Sequence, residues 1–505
     1  MQITNVLEYL DAAAARLPEK PAFCDGAVRL CFGELDRRSR AVGSALAGAG
    51  FGGEPVVVFM AKGPLAVSAF FGVLRAGCFY VPLDEEMPRH RIELIFDLLR
   101  PRAVIYDDST RSAIKSLDFQ GTALHNDRMA GTPVDAAALN RIRARAIDTD
   151  PIYVVFTSGS TGKPKGVAAC HRSVIDYIEN LSDVLGIGET TVFGNQAPLY
   201  VDACLKELYP TLKFCATTWF IPKAHFSFPL QLVGFLNEKQ VNTVCWVASA
   251  FTMVAALRIL DEVQPQYLRT IAFGSEVFPA KQYNAWRRAC PQARFFNLYG
   301  PTEATGMSCF YEVRDEIAEG AKIPIGRAFR NTEVFLLDKE NRRVEAPGVP
   351  GELCIRGTCL TLGYYGDPER TAQSFVQNPL QPCYGEAVYR TGDLAQYNEA
   401  GDLVFNSRKD YQIKRAGYRI ELGEIESAAH GAEGLVACCC LFDDARKKIV
   451  LCYAGAPQRA QLMAHLKTKL PPYMLPNVAH HLDELPLTPN GKLDRNLLKA
   501  TYITA

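Results

Sequence analysis

The run Thr157-Ser158-Gly159-Ser160-Thr161-Gly162-Lys163-Pro164-Lys165-Gly166 follows directly on an apolar stretch, Ile152 to Phe156. Seven of its ten residues are Gly, Ser or Thr, so hydroxyls and approachable backbone N–H groups are concentrated in one turn. Two lysines add positive charge. Such a turn suits a loop that closes around a polyphosphate. It is not a P-loop, because Lys163 is followed by Pro164 instead of a Ser or Thr opening a helix. A flexible polar linker has the same composition, so the reading depends on what accompanies it downstream.

Four further constellations do. Asn297-Leu298-Tyr299-Gly300-Pro301-Thr302-Glu303-Ala304-Thr305 joins an aromatic ring, hydroxyls and a carboxylate in a Gly-Pro turn. A purine could stack on Tyr299 while Glu303 holds Mg²⁺ against phosphate oxygens. Tyr389-Arg390-Thr391-Gly392-Asp393 places one carboxylate after a glycine turn, suited to gripping two ribose hydroxyls. Lys414 to Arg419 is a basic loop that enters an acidic helix start, Ile420 to Glu426. Pro489-Asn490-Gly491-Lys492-Leu493-Asp494-Arg495 sets one lysine on a turn near the C-terminus. Taken singly, Glu303 reads equally well as a surface carboxylate, Asp393 as a turn former and Lys492 as a solvated tail residue.

In this order and spacing the motifs resemble those of adenylate-forming enzymes, the superfamily of acyl-CoA synthetases, luciferases and peptide synthetases. More narrowly, the chain is similar to stand-alone amino-acid adenylation domains from about Pro21 to Asn496, and Leu353 to Gly357 with Gly363 to Tyr365 extends the match. The resemblance implies ATP as substrate and Mg²⁺ as cofactor. It puts Thr157, Ser158, Gly159, Ser160, Thr161, Gly162, Lys163 and Lys165 on the β,γ-phosphates. Tyr299 stacks on the adenine, Asn297 and Gly300 also bind the nucleotide, and Asp393 with Arg408 binds the ribose. Glu303 becomes the Mg²⁺ ligand, with Thr302 beside the α-phosphate. Lys492 bridges the substrate carboxylate and the α-phosphate, where a cation must offset the repulsion between two approaching anions. Asp410 falls at the hinge of a rotating small domain, and Gly417 lines a tunnel for a phosphopantetheine thiol. Ser407, before Arg408, departs from the family's usual Gly.

Asn195 to Asp202 matches the segment in which amino-acid-activating members carry an aspartate for the substrate ammonium. By the same alignment Ala203, Lys206, Ala250, Ile271, Phe273, Gly274, Leu298, Gly306 and Met307 surround the side chain. Lys206 lies four residues after Asp202, on the same face of a helix. It either pairs with Asp202 or a neighbouring carboxylate, or serves as counter-ion to an acidic substrate. The segments Gly194–Pro210 and Phe273–Pro279 most resemble D-alanine–carrier protein ligases, whose small apolar pocket Phe273 and Leu298 could provide. That subfamily has Cys where Gly274 stands, and Lys206 is not its usual choice. Alanine-like and acidic side chains both stay open. The chain ends ten residues after Arg495, so the expected thiol acceptor is a phosphopantetheinyl carrier protein in trans. The alternatives are an acyl- or aryl-CoA synthetase, a luciferase-like oxygenase and a non-catalytic scaffold on the same fold.

The elements that must position these residues follow from bulk properties and periodicity. At 505 residues the chain exceeds what one core serves. Apolar content of 48% supports folding throughout, and Lys+Arg and Asp+Glu both total 55, which argues against a nucleic-acid or anionic-membrane binder. No long apolar span or signal peptide is visible, so the expected location is the cytoplasm. The sixteen cysteines, with no C-x-x-C pair, read as reduced core thiols. Short apolar strands alternate with amphipathic helices: strands at 55–60, 78–83 and 103–106, helices at 64–76 and 87–99. The rhythm resumes with a helix at 171–185, a strand near 192, a helix at 230–239 and a strand at 243–247. This predicts an α/β fold with parallel sheets. From 331 to 405, short strands between turns suggest a small β-barrel or meander. The polar run Asn406 to Asp410 then separates residues 1–409 from a smaller, mobile α+β domain at 410–505. There, helices are expected at 421–429 and 458–470 and strands at 435–442 and 449–453.

Overall fold

The computed structural model describes residues 3–159, 163–487 and 493–503. The chain divides into two compact units. The first comprises Met1–Glu85, Pro101–Val155 and Gly166–Lys409; the second comprises Glu86–Arg100, Phe156–Lys165 and Asp410–Ala505.

Two sheets dominate the first unit. One has the strand order Thr122–His125, Ala103–Tyr106, Pro55–Phe59, Phe79–Leu83, Pro151–Thr157 and Lys165–Cys170. Its central pairs are parallel, and Pro55–Phe59 is buried at every position, as a strand covered on both faces requires. The other sheet has nine strands, in the order Arg327–Ala328, Cys309–Val313, Arg294–Tyr299, Thr270–Gly274, Thr243–Val247, Val192–Asn195, Thr217–Phe220, Pro21–Cys24 and Arg29–Cys31. Its middle is parallel, and antiparallel pairs close each edge. Asn195, Gly274 and Tyr299 are the last residues of three of these strands. Carboxyl ends of parallel strands are where open α/β sheets bind ligands.

The strand-rich region after residue 331 forms an antiparallel sheet in the order Arg343–Val344, Thr332–Leu337, Gly351–Gly357, Ala387–Tyr397 and Phe375–Gln377. Leu403–Arg408 pairs with Ala387–Tyr397. The polar run expected to interrupt the fold from Asn406 is therefore strand as far as Arg408.

In the second unit a hairpin of Gln412–Arg415 and Tyr418–Glu421 leads into helix Leu422–His430. A three-stranded sheet of Leu435–Asp443, Lys448–Gly455 and Val478–His481 carries helix Arg459–Lys469. Ile420, Ile425, Leu451, Leu462 and Leu466 form its core. Every cysteine is free, and all but Cys31 and Cys383 are buried. Among the described residues, no helix is long and apolar enough to cross a membrane.

Candidate adenylation site

Tyr299, Asp393 and Arg408 meet although they are far apart in sequence. Asp393 and Arg408 face each other across an antiparallel pair, where a guanidinium–carboxylate contact is geometrically natural. Arg408 Nη1 donates to one Asp393 oxygen and the Tyr299 hydroxyl to the other. Arg408 Nη2 also donates to the Thr391 carbonyl at 3.1 Å, and the Thr391 hydroxyl accepts the Asp393 N–H at 3.0 Å. Burial, reinforced by Asp393, holds the Tyr299 phenol far above its ordinary pKa, so it stays a donor. Asn297, on the same strand, donates to the Pro324 carbonyl at 2.8 Å.

The Gly-Pro turn is built by close approach. A Cβ on Gly300 would lie 2.1 Å from the Gly306 carbonyl, so only glycine fits. The turn Thr302–Ala304 follows. Glu303 within it is fully buried, its Oε1 accepting from the Tyr364 hydroxyl at 2.8 Å. Its carbonyl accepts from the Thr361 N–H at 3.1 Å and the Thr361 hydroxyl at 3.0 Å. Mg²⁺ is usually held by one or two carboxylates plus substrate phosphates and water, not by an all-protein cage. Among the described residues no group of three or more His, Cys, Asp or Glu could hold a metal ion. A single buried carboxylate such as Glu303 fits the first pattern.

Asp202 opens the short turn Asp202–Cys204, which runs into helix Leu205–Phe214. Burial raises its carboxyl pKa; Lys206 and a hydrogen bond from Thr302 oppose the shift, while Glu303 adds to it. An ionised Asp202 is therefore costly until a further cation arrives. Lys206 is 4% exposed and Glu207 not at all. Asn195 Nδ2 donates to Glu207 Oε2 at 3.2 Å, and burial pushes the Glu207 carboxyl up to about 7. Lys62 donates to the Gln196 carbonyl at 3.0 Å, and burial brings its ammonium down to about 8.

The remaining wall residues fall into two groups. Leu298 and Met307 share an apolar cluster with Tyr153, Tyr177 and Cys204, next to Asp202. Gly306, with φ +91°, leaves room for the Tyr177 ring, which a Cβ would approach to 3.1 Å. Ala203 packs at the edge of the same cluster. Ala250, Ile271 and Phe273 belong to a separate cluster, with the Phe273 ring against Phe278 at 4.9 Å. The strand alternation explains this: Ile271 and Phe273 point to one face of the sheet, Ala272 to the other. Gly274 is dictated by strand pairing, since a Cβ would lie 2.3 Å from the Leu298 carbonyl.

Within the second unit, the glycine-rich run is held at its start. The Ser158 hydroxyl donates to the Arg419 carbonyl at 2.7 Å and accepts the Glu421 N–H at 3.1 Å. The Gly159 N–H donates to Glu424 Oε2 at 3.2 Å, and Arg91 donates to the other oxygen of that carboxylate. Thr157 is the last residue of its strand, Lys163 lies in a bend and Lys165 opens the next strand. Gly417, with φ +80°, and Ala416, with φ +50°, make the two-residue turn of the 412–421 hairpin, where left-handed backbone favours glycine. Asp410 accepts the Gln412 N–H at 3.2 Å. Ser160, Thr161, Gly162 and Lys492 lie outside the described residues. Lys62 and Tyr153 escaped the sequence analysis, and Glu207 and Tyr364 entered it only as parts of the matched segments Gly194–Pro210 and Gly363–Tyr365, with no role of their own; each joins the site through long-range packing.

Comparison with known proteins agrees with this geometry. Residues 10–365 match the family model described as AMP-binding enzyme, and residues 424–492 match the AMP-binding enzyme C-terminal domain. The chain is 32% identical to an L-proline–[L-prolyl-carrier protein] ligase of Streptomyces coelicolor, over 97% of this chain and 95% of that protein. It is 31% identical to tyrocidine synthase 1 of Brevibacillus parabrevis, covering 99% of this chain but only 45% of that longer protein. The crystal structure of IdnL1 superposes with a TM-score of 0.82 at 28% identity, over 96% of this chain and all of that one. The Vibrio cholerae adenylation domain AlmE, at 20% identity, shares the fold with a TM-score of 0.84 over 100% of this chain and 99% of that one. The chain belongs to the AMP-binding enzyme family, whose adenylating members consume ATP.

Proposed function

We propose that this protein activates an amino acid as its aminoacyl adenylate, releasing pyrophosphate. It then passes the aminoacyl group to the phosphopantetheine thiol of a separate carrier protein, with AMP as the leaving group, in the cytoplasm. One observation carries the amino-acid reading: Asp202 is a half-buried carboxylate whose pKa desolvation raises, facing Thr302 and Glu303 of the neighbouring turn. A substrate ammonium is the cation that such a carboxylate calls for, a charge-assisted contact worth about 1.5–3 kcal/mol. An acyl or aryl acid would leave Asp202 without that partner. The Streptomyces ligase, matched over nearly its whole length, supports transfer to a carrier.

The other residues take the roles that the sequence motifs suggest. The 157–166 loop holds the β,γ-phosphates, Tyr299 stacks on the adenine, Asn297 also binds the nucleotide, and Asp393 with Arg408 fixes the ribose. Glu303 would hold Mg²⁺, which when bound neutralises phosphate charge. Lys492 offsets the repulsion between the attacking carboxylate and the α-phosphate. Asp410 is the hinge and Gly417 lines the thiol tunnel. ATP–pyrophosphate exchange tests the scheme: it should depend on an amino acid and fall roughly 10²-fold or more in Lys492→Ala, the scale of one lost electrostatic donor. Exchange in that variant at the wild-type rate would remove Lys492 from the chemistry.

A further inference from the structure

The neighbourhood of Asp202 holds more donors than an ammonium-binding carboxylate needs. Lys206 sits one helical turn on, almost wholly buried. The Tyr153 hydroxyl is buried and has no hydrogen-bond partner, and Asp202 is the charged group that acts on it most strongly. Lys62 is a second, half-buried ammonium that also faces Glu207.

Charge balance sharpens the point. Two lysines, Lys62 and Lys206, act on Glu207, and Lys206 also acts on Asp202. Once a substrate ammonium engages Asp202, Lys206 is left with Glu207, which it shares with Lys62 and whose carboxyl burial pushes up to about 7, while Lys62 also faces Glu85. A neutral substrate side chain would leave the buried Lys206 ammonium with only that shared carboxylate, a costly arrangement. The small-pocket alternative loses a wall as well, because the Phe273 ring is turned into the cluster of Phe278 and Tyr283.

We infer that the activated amino acid bears a side-chain carboxylate, received by Lys206 and the Tyr153 hydroxyl while Asp202 holds its ammonium. The inference rests on the amino-acid reading of the site and names the substrate class within it.

ATP–pyrophosphate exchange with both enantiomers of aspartate, asparagine, glutamate, glutamine, alanine and glycine tests it. Wild type should favour an acid over its own amide by roughly 10-fold to 10²-fold in kcat/KM, the range of one charge-assisted contact. Lys206→Met should erase that acid-to-amide ratio, chiefly through KM, while Lys206→Arg keeps it. Nucleotide titration of each variant reports whether ATP binding, and hence the fold, survives. Because the readout is a ratio, a general loss of activity does not mimic it. Best exchange with alanine or glycine overturns the inference and leaves amino-acid activation standing. An acid-to-amide ratio unchanged in Lys206→Met also overturns it. Exchange only with a fatty or aryl acid overturns both readings.

Discussion

Glu303 and Asp202 are carboxylates for which different tasks are proposed, and the difference lies in their partners. Glu303 is oriented by the Tyr364 hydroxyl at 2.8 Å, with its own backbone tied to Thr361. Asp202 has Thr302 and Lys206 near it and a pKa raised by burial. Replacing Asp202 with Asn should therefore raise KM for the amino acid by roughly 10-fold to 10²-fold and leave KM for ATP nearly unchanged. Steady-state exchange kinetics check this; an equal loss in both constants would mean a fold defect. Glu303→Gln should instead lower the maximal rate by roughly 10²-fold and raise the Mg²⁺ concentration needed for half-activity. A magnesium titration of the variant reads both effects. The sequence singles out Lys492, Asp202 and Glu303 as candidates because each lies in a short, residue-specific motif. It does not reveal the contacts of Tyr364, although Gly363 to Tyr365 is a matched run, or of Lys62, because Tyr364 reaches Glu303 across 61 residues and Lys62 reaches Gln196 across 134.

Helix His171–Leu185 shows how local chemistry and tertiary contacts share one element. It ends at Gly186, whose φ of +69° is the left-handed cap that the sequence signals. Its first residue, His171, was invisible as a tertiary anchor: Nδ1 accepts the Val6 N–H at 3.2 Å, tying down the start of helix Leu7–Arg16. Burial, with Arg143 nearby, pushes the His171 pKa down to about 3. Between about pH 6.5 and that value the unfolded chain binds a proton that the folded one refuses. The stability contribution is complete above about pH 6.5 and declines by about 1.4 kcal/mol per pH unit as pH falls through that window. Urea unfolding at several pH values should show this slope in wild type and a shallower one in His171→Gln. In the second unit, Arg91 and Glu424, each 4% exposed, join helices Arg89–Leu99 and Leu422–His430. Arg91→Ala leaves Glu424 buried without its cation and should cost about 3–5 kcal/mol, measurable by denaturant unfolding. Strands Ala103–Tyr106 and Thr243–Val247 match their expected limits because burial on both faces makes them continuous apolar runs. Asn406 to Arg408 defied expectation, since a polar run there serves the cross-strand contact between Arg408 and Asp393. The directions of Ile271 and Phe273 were equally hidden, because alignment gives positions while sheet register decides the face.

At the scale of the whole molecule, the proposed scheme divides the work between two half-reactions, and a variant can separate them. Gly417 occupies a left-handed turn at φ +80°, so a bulky replacement both strains the turn and fills space. Gly417→Leu should reduce transfer from preformed adenylate to carrier by roughly 10-fold or more, while exchange stays close to wild type. Loss of both activities together would argue that the turn is structural only. The limits of the second unit were only partly legible. Helix Leu422–His430 and the strand pair at 435–455 follow from periodicity, whereas the inclusion of Glu86–Arg100 and Phe156–Lys165 depends on contacts such as Arg91 with Glu424. The central claim is that the enzyme makes an aminoacyl adenylate, and trapping that product with hydroxylamine tests it most directly. With ATP and Mg²⁺, wild type should yield the hydroxamate of an amino acid, and Lys492→Ala almost none. Hydroxamate from a fatty or aryl acid alone, or none from any acid, would contradict the account.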